Sequence, residues 1–164
     1  MSHRAKWKEW FVTVAGRRFG LEISQIGING NAYLDRWIAY LGGGTLRLHR
    51  FWRGDDDRAS HTHPWWFITF PLTSYWEAVY KEGVLQEVRE VKRFRFHFRP
   101  AHFEHIVLGR QMQPVYGRHP VYNPEPDMEV DERPFWTFVI SGHRTNAWGF
   151  YPKPGKFVPW REWA

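Results

Sequence analysis

The 164-residue sequence has no cysteine, which excludes disulfides, thiolate metal sites and cysteine nucleophiles. It also lacks a long apolar run. A membrane helix needs roughly 18 apolar residues, and the longest stretch here, Trp65–Leu72, contains Thr69 and Pro71. No apolar segment follows the basic N-terminus MSHRAKWKEW, so we expect no secretory signal. These absences predict a cytoplasmic protein with no membrane association.

The chain is rich in aromatic and basic residues. Phe, Trp and Tyr make up 19% of its residues, and the net charge is +6, mostly from arginine. Scattered Gly and Pro predict many turns and short strands, hence one all-β domain. We expect the arginines to coat strand exteriors. The alternative is that basic strand faces and Trp residues bind nucleic acid or a protein partner.

Short alternating segments bounded by Gly and Pro predict β-strands along most of the chain. Tyr33–Leu41 also fits a helical stripe, but the GGG that follows and the alternating Thr45–Phe51 favour a strand. We predict that His61–Leu72 is a buried strand with Tyr75–Tyr80 as its hairpin partner. Further strands are predicted at Trp7–Val14, Val84–Val91, His105–Leu108, Phe135–Ser141 and Ala147–Tyr151. So many short strands favour a sandwich or a barrel.

Two segments in the second half of the chain stand out. In Arg93–Arg99, three phenylalanines alternate with basic residues, which predicts a strand with one buried and one wet face. In Gln111–Pro134, five prolines and the acidic run EPDMEVDE predict a long loop. Loops of this length in a compact domain are usually functional, so this one is either a lid over a site or a partner-binding arm.

The residues most suited to chemistry are His61 and His63. Two histidines separated by one residue on a strand point to the same face, so both imidazoles can reach one metal ion. The alternative is a pair of ordinary strand histidines. The aromatic segment PWWF that follows puts the pair at the mouth of an apolar interior, and the later phrase FRPAHFEH offers a third ligand, His105. Three histidines leave open positions on an octahedral ion.

These two phrases resemble the two motifs of the cupin superfamily. The stretches LHRFWRGDDDRASHTHPWWF, SYWE, FRPAHFEH, PFWTFVISGHRTNAWGF and VPWREW are similar to a small cupin family of bacteria and tailed phages, with HxHPW and WGF as its more specific elements. The resemblance spans residues 33–163. It implies an RmlC-like double-stranded β-helix, or jelly roll, with metal ligands at His61, His63 and His105.

The chain departs from the cupin pattern at the usual carboxylate ligand, because Phe67 stands where a glutamate is expected after the second histidine. Glu77 is the nearest carboxylate. A hairpin register opposite Phe70 would put it about 23 Å from His63, which makes it a weak metal ligand. We therefore assign it, with the remaining polar candidates, to substrate binding. These candidates are Glu77, His49, Arg58 and Arg144.

Two classes of function follow. The first is a metal-dependent cupin enzyme that holds Fe, Zn, Ni or Mn through the three histidines and acts on a small anionic substrate. Iron favours an oxygenase-type oxidoreductase reaction, whereas Zn²⁺ or Ni²⁺ favours a Lewis-acid isomerase or hydrolase. The second is a non-catalytic module that binds nucleic acid or a protein, marked by a steep fall of affinity with salt. A homodimer is compatible with either class.

Overall fold

The computed structural model describes residues 2–28, 31–55, 59–110, 133–145 and 147–163. In these ranges no helix is long and apolar enough to cross a membrane. Thirteen strands follow one another there: β1 Ser2–Val14, β2 Arg17–Ile28, β3 Asn31–Leu41, β4 Thr45–Phe51, β5 Ser60–His61, β6 Phe67–Pro71, β7 Tyr75–Lys81, β8 Val84–Val91, β9 His97–Arg99, β10 Glu104–Gly109, β11 Phe135–Ser141, β12 Gly149–Lys153 and β13 Lys156–Pro159.

The strands form two antiparallel sheets. The seven-stranded sheet has the order β1-β2-β3-β4-β11-β6-β9, and the six-stranded sheet has the order β13-β12-β5-β10-β7-β8. The chain changes sheet repeatedly, so β4, β6, β9 and β11 lie in one sheet while β5, β7, β10 and β12 lie in the other. The predicted all-β class is therefore confirmed.

Aromatic and aliphatic side chains from both sheets form the core between them. The Phe135 ring stacks on Phe51 and on Tyr75, at centroid distances of 4.8 and 5.4 Å. Tyr75 comes from the six-stranded sheet and the other two rings from the seven-stranded sheet. The core cluster comprises Tyr33, Leu34, Phe51, Tyr75, Val91, Val107 and Phe135. Since strands of both sheets supply it, burial of these rings joins the sheets.

The ambiguous segment Tyr33–Leu41 is a strand, as predicted. It lies in β3, between β2 and β4, so its backbone groups are paired on both sides. Its partner β2 is not among the strands predicted from the sequence, which has the predicted strand Trp7–Val14 followed next by Tyr33–Leu41. Only Ala15 and Gly16 turn, both with positive φ (49° and 73°), and Arg17 already begins the next strand. The two strands form a long N-terminal hairpin whose register shifts once, between Lys6 and Lys8.

The predicted hairpin between His61–Leu72 and Tyr75–Tyr80 is wrong. Residues 62–66 separate β5 from β6, and β6 pairs with β11 and β9, whereas β7 pairs with β10 and β8. Residues 72–74 thus carry the chain from one sheet to the other. The burial pattern of β6 alternates and that of β7 does so except at Glu77 and Ala78, which are both buried; such a pattern is the same whether two consecutive strands pair or face each other.

The prediction of one strand over Arg93–Arg99 is also wrong in its extent and its orientation. Only His97–Arg99 forms a strand, β9, and Phe94 has a φ of 57°, which interrupts extended structure. The three phenylalanines are 61–73% exposed, whereas Arg99 is buried. Alternation separates two faces of a strand without identifying the inner one. Here the guanidinium of Arg99 takes the inner side because it has a buried carboxylate partner.

Candidate metal centre

Three histidines converge between the sheets. His61 ends β5 and lies directly opposite His105 of β10 in the antiparallel register, and His63 follows two residues after His61. One ring nitrogen of each residue lies within 4.8 Å of the others. The Nε2 atoms of His63 and His105 are 3.0 Å apart. The structure therefore brings together the three histidines that the sequence proposed as ligands.

The environment keeps His63 uncharged. Burial lowers its pKa well below the usual value, and the nearby His61, His105 and Arg47 lower it further. A neutral imidazole has a ring lone pair available to bind an ion, whereas a protonated one has none. The edge of Phe67 packs against the His63 ring at a centroid distance of 4.8 Å. This aromatic stands at the position where the general cupin pattern has its glutamate.

Glu77 lies behind His105. It is fully buried on β7, and its Oε2 is 3.2 Å from Nδ1 of His105, on the other side of the ring from the nitrogen that faces His63. In the register of β7 with β10, Glu77 is opposite Val107, so the distance argument based on a pairing with Phe70 does not apply. A carboxylate in this position fixes the orientation and tautomer of a ligating histidine.

Two arginines also bind the Glu77 carboxylate. Arg99 of β9 and Arg89 of β8 donate hydrogen bonds to Oε1 at 2.5 and 2.8 Å. Burial by itself raises the pKa of Glu77, but the hydrogen bond and charge of His105 and the charges of both arginines outweigh it, so that the pKa is about 2. Glu77 is thus a carboxylate at neutral pH. It joins β7, β8, β9 and β10.

The histidines line a cavity of about 230 Å³ between the sheets. Arg36 of β3 and Arg47 and His49 of β4 line the same cavity. Arg47 donates from Nε to Thr45 at 2.7 Å and lies over the Trp65 ring, and Arg36 is 3.9 Å from the Glu22 carboxylate. The cavity therefore has imidazoles on one wall and guanidinium groups on another.

His49 is a buried, neutral member of this cavity. Burial lowers its pKa well below the usual value, and the charges of Arg47 and Arg36 lower it further. Its Nε2 is buried with no hydrogen-bond partner among the described residues. Buried polar atoms are seldom left without a partner, and a bound small molecule can supply one.

The other candidates for substrate binding lie elsewhere or outside the described residues. Arg144 is exposed on the segment before β12 and does not line the cavity. Arg58 lies outside the described residues, as does most of the predicted loop Gln111–Pro134. His102 is exposed, three residues before His105, and is not part of the histidine cluster.

Sequence analysis missed Arg36 and Arg47 because it assumed that arginines coat strand exteriors. In β4 the alternation puts Thr45, Arg47, His49 and Phe51 on one face, and this face is the inner one. The outer residues of that strand include Leu46 and Leu48. Apolar residues at the alternate positions were a usable indication that the polar set faces an internal cavity.

No protein-family model matches the sequence, and no curated protein matches it. The similarities found are to solved structures. The Fe(II) form of HppE has a TM-score of 0.51 at 9% identity, covering 80% of this chain and 64% of that one. The DMSP lyase DddQ from Ruegeria pomeroyi DSS-3 has a TM-score of 0.49 at 13% identity, covering 90% and 63%. An RmlC-like cupin from Shewanella frigidimarina NCIMB 400 has a TM-score of 0.42 at 12% identity, covering 82% and 92%.

These likenesses concern the fold. The chain spans less than two thirds of HppE and of DddQ, and 47% of AerE from Microcystis aeruginosa. The likeness to HppE and the two facing antiparallel sheets support an all-β fold of the double-stranded β-helix, or jelly-roll, type, which confirms the fold class predicted from the sequence.

Proposed function

We propose that this protein is a metal-dependent enzyme of the cupin type, in which His61, His63 and His105 hold a divalent ion and a small anionic substrate binds beside it. One observation carries the proposal. Three imidazole nitrogens lie within 4.8 Å of one another on the wall of an internal cavity that arginines also line. Two histidines on an ordinary strand would not be expected to converge with a third histidine from a different strand.

The donor set fits a first-row divalent ion. Ligand nitrogens lie at about 2.1 Å from such an ion, so two ligands at a right angle are about 3.0 Å apart. The Nε2 atoms of His63 and His105 have this separation. Neutral imidazoles suit Fe, Zn and Ni ions, whereas Mn²⁺ is a harder ion that prefers carboxylate and water ligands. The absence of a glutamate from the cluster leaves the charge of the ion uncompensated, and this supports an anionic substrate.

The chain's own residues supply anion binding and orientation. Arg47 and Arg36 present positive charge to the cavity, and the Nε2 atom of His49 is available to a hydroxyl or carbonyl group of the substrate. At about 230 Å³ the cavity is below the usual range for drug-sized ligands, so the substrate is a small molecule. The side chains of Trp65, Phe67 and Phe150 on its walls exclude water from the reacting groups.

The ion determines which reaction follows. When bound, iron supplies oxygen activation and hence an oxygenase-type reaction, which we favour, whereas Zn²⁺ or Ni²⁺ supplies Lewis-acid chemistry. His49 stays neutral because burial and the two arginines disfavour its protonation, so its role is to orient the substrate by a hydrogen bond rather than to take a proton from it. Glu77 keeps Nδ1 of His105 protonated and so directs Nε2 toward the cavity.

Metal analysis of untagged protein tests the proposal. We expect about one equivalent of a first-row metal in the wild type and a loss of most of it in His63→Ala and in His105→Ala. His102→Ala is the matched control, because His102 is exposed and outside the cluster. A metal content that is equal in His105→Ala and His102→Ala would contradict a site built by both motifs.

The alternative function, a module that binds nucleic acid, has one structural feature in its favour. The exposed rings of Phe94 and Phe96 alternate along the chain with the exposed Arg93 and Arg95, an arrangement that suits base stacking beside phosphate contacts. Such a module would bind single-stranded oligonucleotides with an affinity that falls steeply as the salt concentration rises. The two functions use different parts of the molecule.

A further inference from the structure

The six-stranded sheet has a second cavity, of about 570 Å³, on the face opposite the histidine cluster. His61 and His105 line the inner cavity and pair with each other across β5 and β10. Because successive side chains of a strand point to opposite faces, their chain neighbours Ser60 and Glu104 point the other way. Glu104 lines the second cavity, which we call the outer cavity.

Glu104 and Tyr80 form the floor of the outer cavity. They face each other across β10 and β7, and both are 4% exposed. The Ser60 hydroxyl and the backbone N–H of Gly83 donate hydrogen bonds to Oε1 of Glu104, so the carboxylate is fixed in place. Burial and the charge of Glu104 raise the pKa of Tyr80 to about 12, so its ring is a neutral phenol. The floor therefore combines one carboxylate with one aromatic ring.

Two more aromatic rings form a wall of the outer cavity. Tyr151 of β12 and Phe157 of β13 both line it, and their rings meet at a centroid distance of 5.3 Å with an angle of 58° between their planes. Burial raises the pKa of Tyr151, and the charges of Glu104 and Glu82 raise it further, which indicates a negative potential at this wall. Phe157 is 38% exposed, so the wall reaches the surface.

The charge of the outer cavity suits a cation. Among the described residues that line it, Glu82 and Glu104 are carboxylates and Lys81 is a cation, at the exposed rim. The described groups that donate hydrogen bonds to Glu104 are a hydroxyl and backbone amides, and none of them is a cation. Buried charges in proteins are usually paired. Burial raises the pKa of Glu104, and a positive charge beside it would offset this cost.

We propose that the outer cavity binds a methylated ammonium ion, with its charge beside Glu104 and its methyl groups against the rings of Tyr151 and Phe157. Aromatic faces attract cations of this kind. Oε1 of Glu104 already accepts two hydrogen bonds, so a cation without N–H donors suits the cavity better than a primary ammonium ion, which has three. The volume of about 570 Å³ is within the usual range for small-molecule sites.

Titration of the full chain with choline chloride, followed by the backbone amide signals in NMR, tests the proposal. We expect saturable shifts that are largest near Glu104, including the amide of Gly83, which donates to its carboxylate. The neutral analogue of choline, in which a tert-butyl group replaces the trimethylammonium group, should bind at least tenfold more weakly. The absence of saturable shifts with choline, or equal affinities for choline and its neutral analogue, overturns the proposal.

Glu104→Gln removes the charge and keeps an oxygen that can accept the hydrogen bonds from Ser60 and Gly83. We expect it to raise the Kd of choline at least tenfold. Glu90→Gln is the matched control, because Glu90 is exposed on β8 of the same sheet and does not line the outer cavity. It should bind choline as the wild type does. Equal Kd values for the two variants contradict the proposal.

A second variant keeps the test valid if Glu104→Gln folds poorly. Tyr151→Leu removes one ring of the aromatic wall without touching the Glu104 charge, and we expect it to raise the Kd of choline at least fivefold. Wild-type affinity in this variant overturns the proposal. His63→Ala should bind choline as the wild type does, because His63 lines the inner cavity. Failure of the metal centre and failure of the outer cavity are therefore distinguishable.

Discussion

At the scale of the residue, Glu77 has a role that could not be inferred from its position in the sequence. Of the three histidines, it binds His105, at the ring nitrogen that faces away from the cavity. It also accepts hydrogen bonds from Arg89 and Arg99. A buried carboxylate between two guanidinium groups and an imidazole acts as a positioning residue, which determines the direction of the His105 ring.

We expect Glu77→Gln to weaken metal binding by about 10- to 100-fold, the usual effect of losing a carboxylate behind a histidine ligand. Titration of the purified apoprotein with Zn²⁺ in a calorimeter measures this change. Glu87→Gln is the control, because Glu87 pairs with the same Arg89 but is exposed. Equal affinities of the two variants would show that Glu77 has a purely structural role.

A second prediction at this scale concerns the cavity arginines. Arg47→Met keeps much of the side-chain bulk beside Trp65 and removes the charge, so we expect it to raise the Kd of small carboxylates, phosphonates and sulfonates at least tenfold. A charge-assisted hydrogen bond of about 1.5 to 3 kcal/mol accounts for this loss. Binding of such a panel to metal-loaded protein can be followed by thermal shift. Arg144→Met should bind them as the wild type does, because Arg144 lies outside the cavity.

The three histidines that converge in the structure could be picked out from the sequence, whereas the residues that surround them could not. The spacing of His61 and His63 and the FRPAHFEH phrase were enough to propose the three histidines. The strand argument behind the first pair was only partly right, because β5 ends at His61 and His63 lies beyond it. The place of Glu77 depends on which sheet β7 joins. That choice is made by contacts far apart in the chain, which local pattern does not report.

At the scale of the element, β9 and β11 show how alternation misleads. Arg93–Arg99, which ends in β9, and β11 both alternate aromatic residues with others, but Phe135 is buried and Phe96, just before β9, is 73% exposed. β11 lies between β4 and β6 in the middle of its sheet, whereas β9 is an edge strand. The same alternation of aromatic with other residues therefore occurs in a central core strand, β11, and in an exposed segment at the edge of the sheet, Arg93–Arg99.

This difference predicts the stability of two matched variants. We expect Phe135→Ala to lower the free energy of unfolding by about 3 to 5 kcal/mol, because it removes a ring that packs between the sheets. Phe96→Ala should lower it by about 0.5 kcal/mol or less. Urea unfolding followed by tryptophan fluorescence measures both values. A comparable loss in Phe96→Ala would restore the original interpretation of Arg93–Arg99 as a strand with a buried aromatic face.

At the scale of the whole molecule, the two sheets are joined by the aromatic core and by the Glu77–Arg99 ion pair. The histidine cluster belongs to the six-stranded sheet and the segment that follows β5, so the fold does not depend on an ion to close. The cavity arginines belong to the seven-stranded sheet. In the proposed function, the ion and the anion would thus each be held mainly by a different sheet.

Metal should stabilise the whole fold without being needed for it. At a free concentration about 100 times the Kd, binding to the native state alone adds about 2.7 kcal/mol. We expect Zn²⁺ or Ni²⁺ to raise the Tm of the wild type and of His102→Ala, and to leave that of His63→Ala unchanged, in scanning calorimetry. A Tm shift of equal size in His63→Ala would mean that the stabilising ion binds outside the cluster.

The Glu77 carboxylate also links local fluctuations of the fold to the histidine cluster. It binds Arg99 from one sheet and Arg89 and His105 from the other, so a local opening that separates β9 from β7 removes one of the two guanidinium groups that hold the carboxylate behind the His105 ring. Fluctuation of the sheet margin therefore loosens the orientation of this ring. An ion captured by the three histidines would damp this motion, and backbone amides of β9, far from any coordinating atom, would exchange their hydrogens with solvent more slowly.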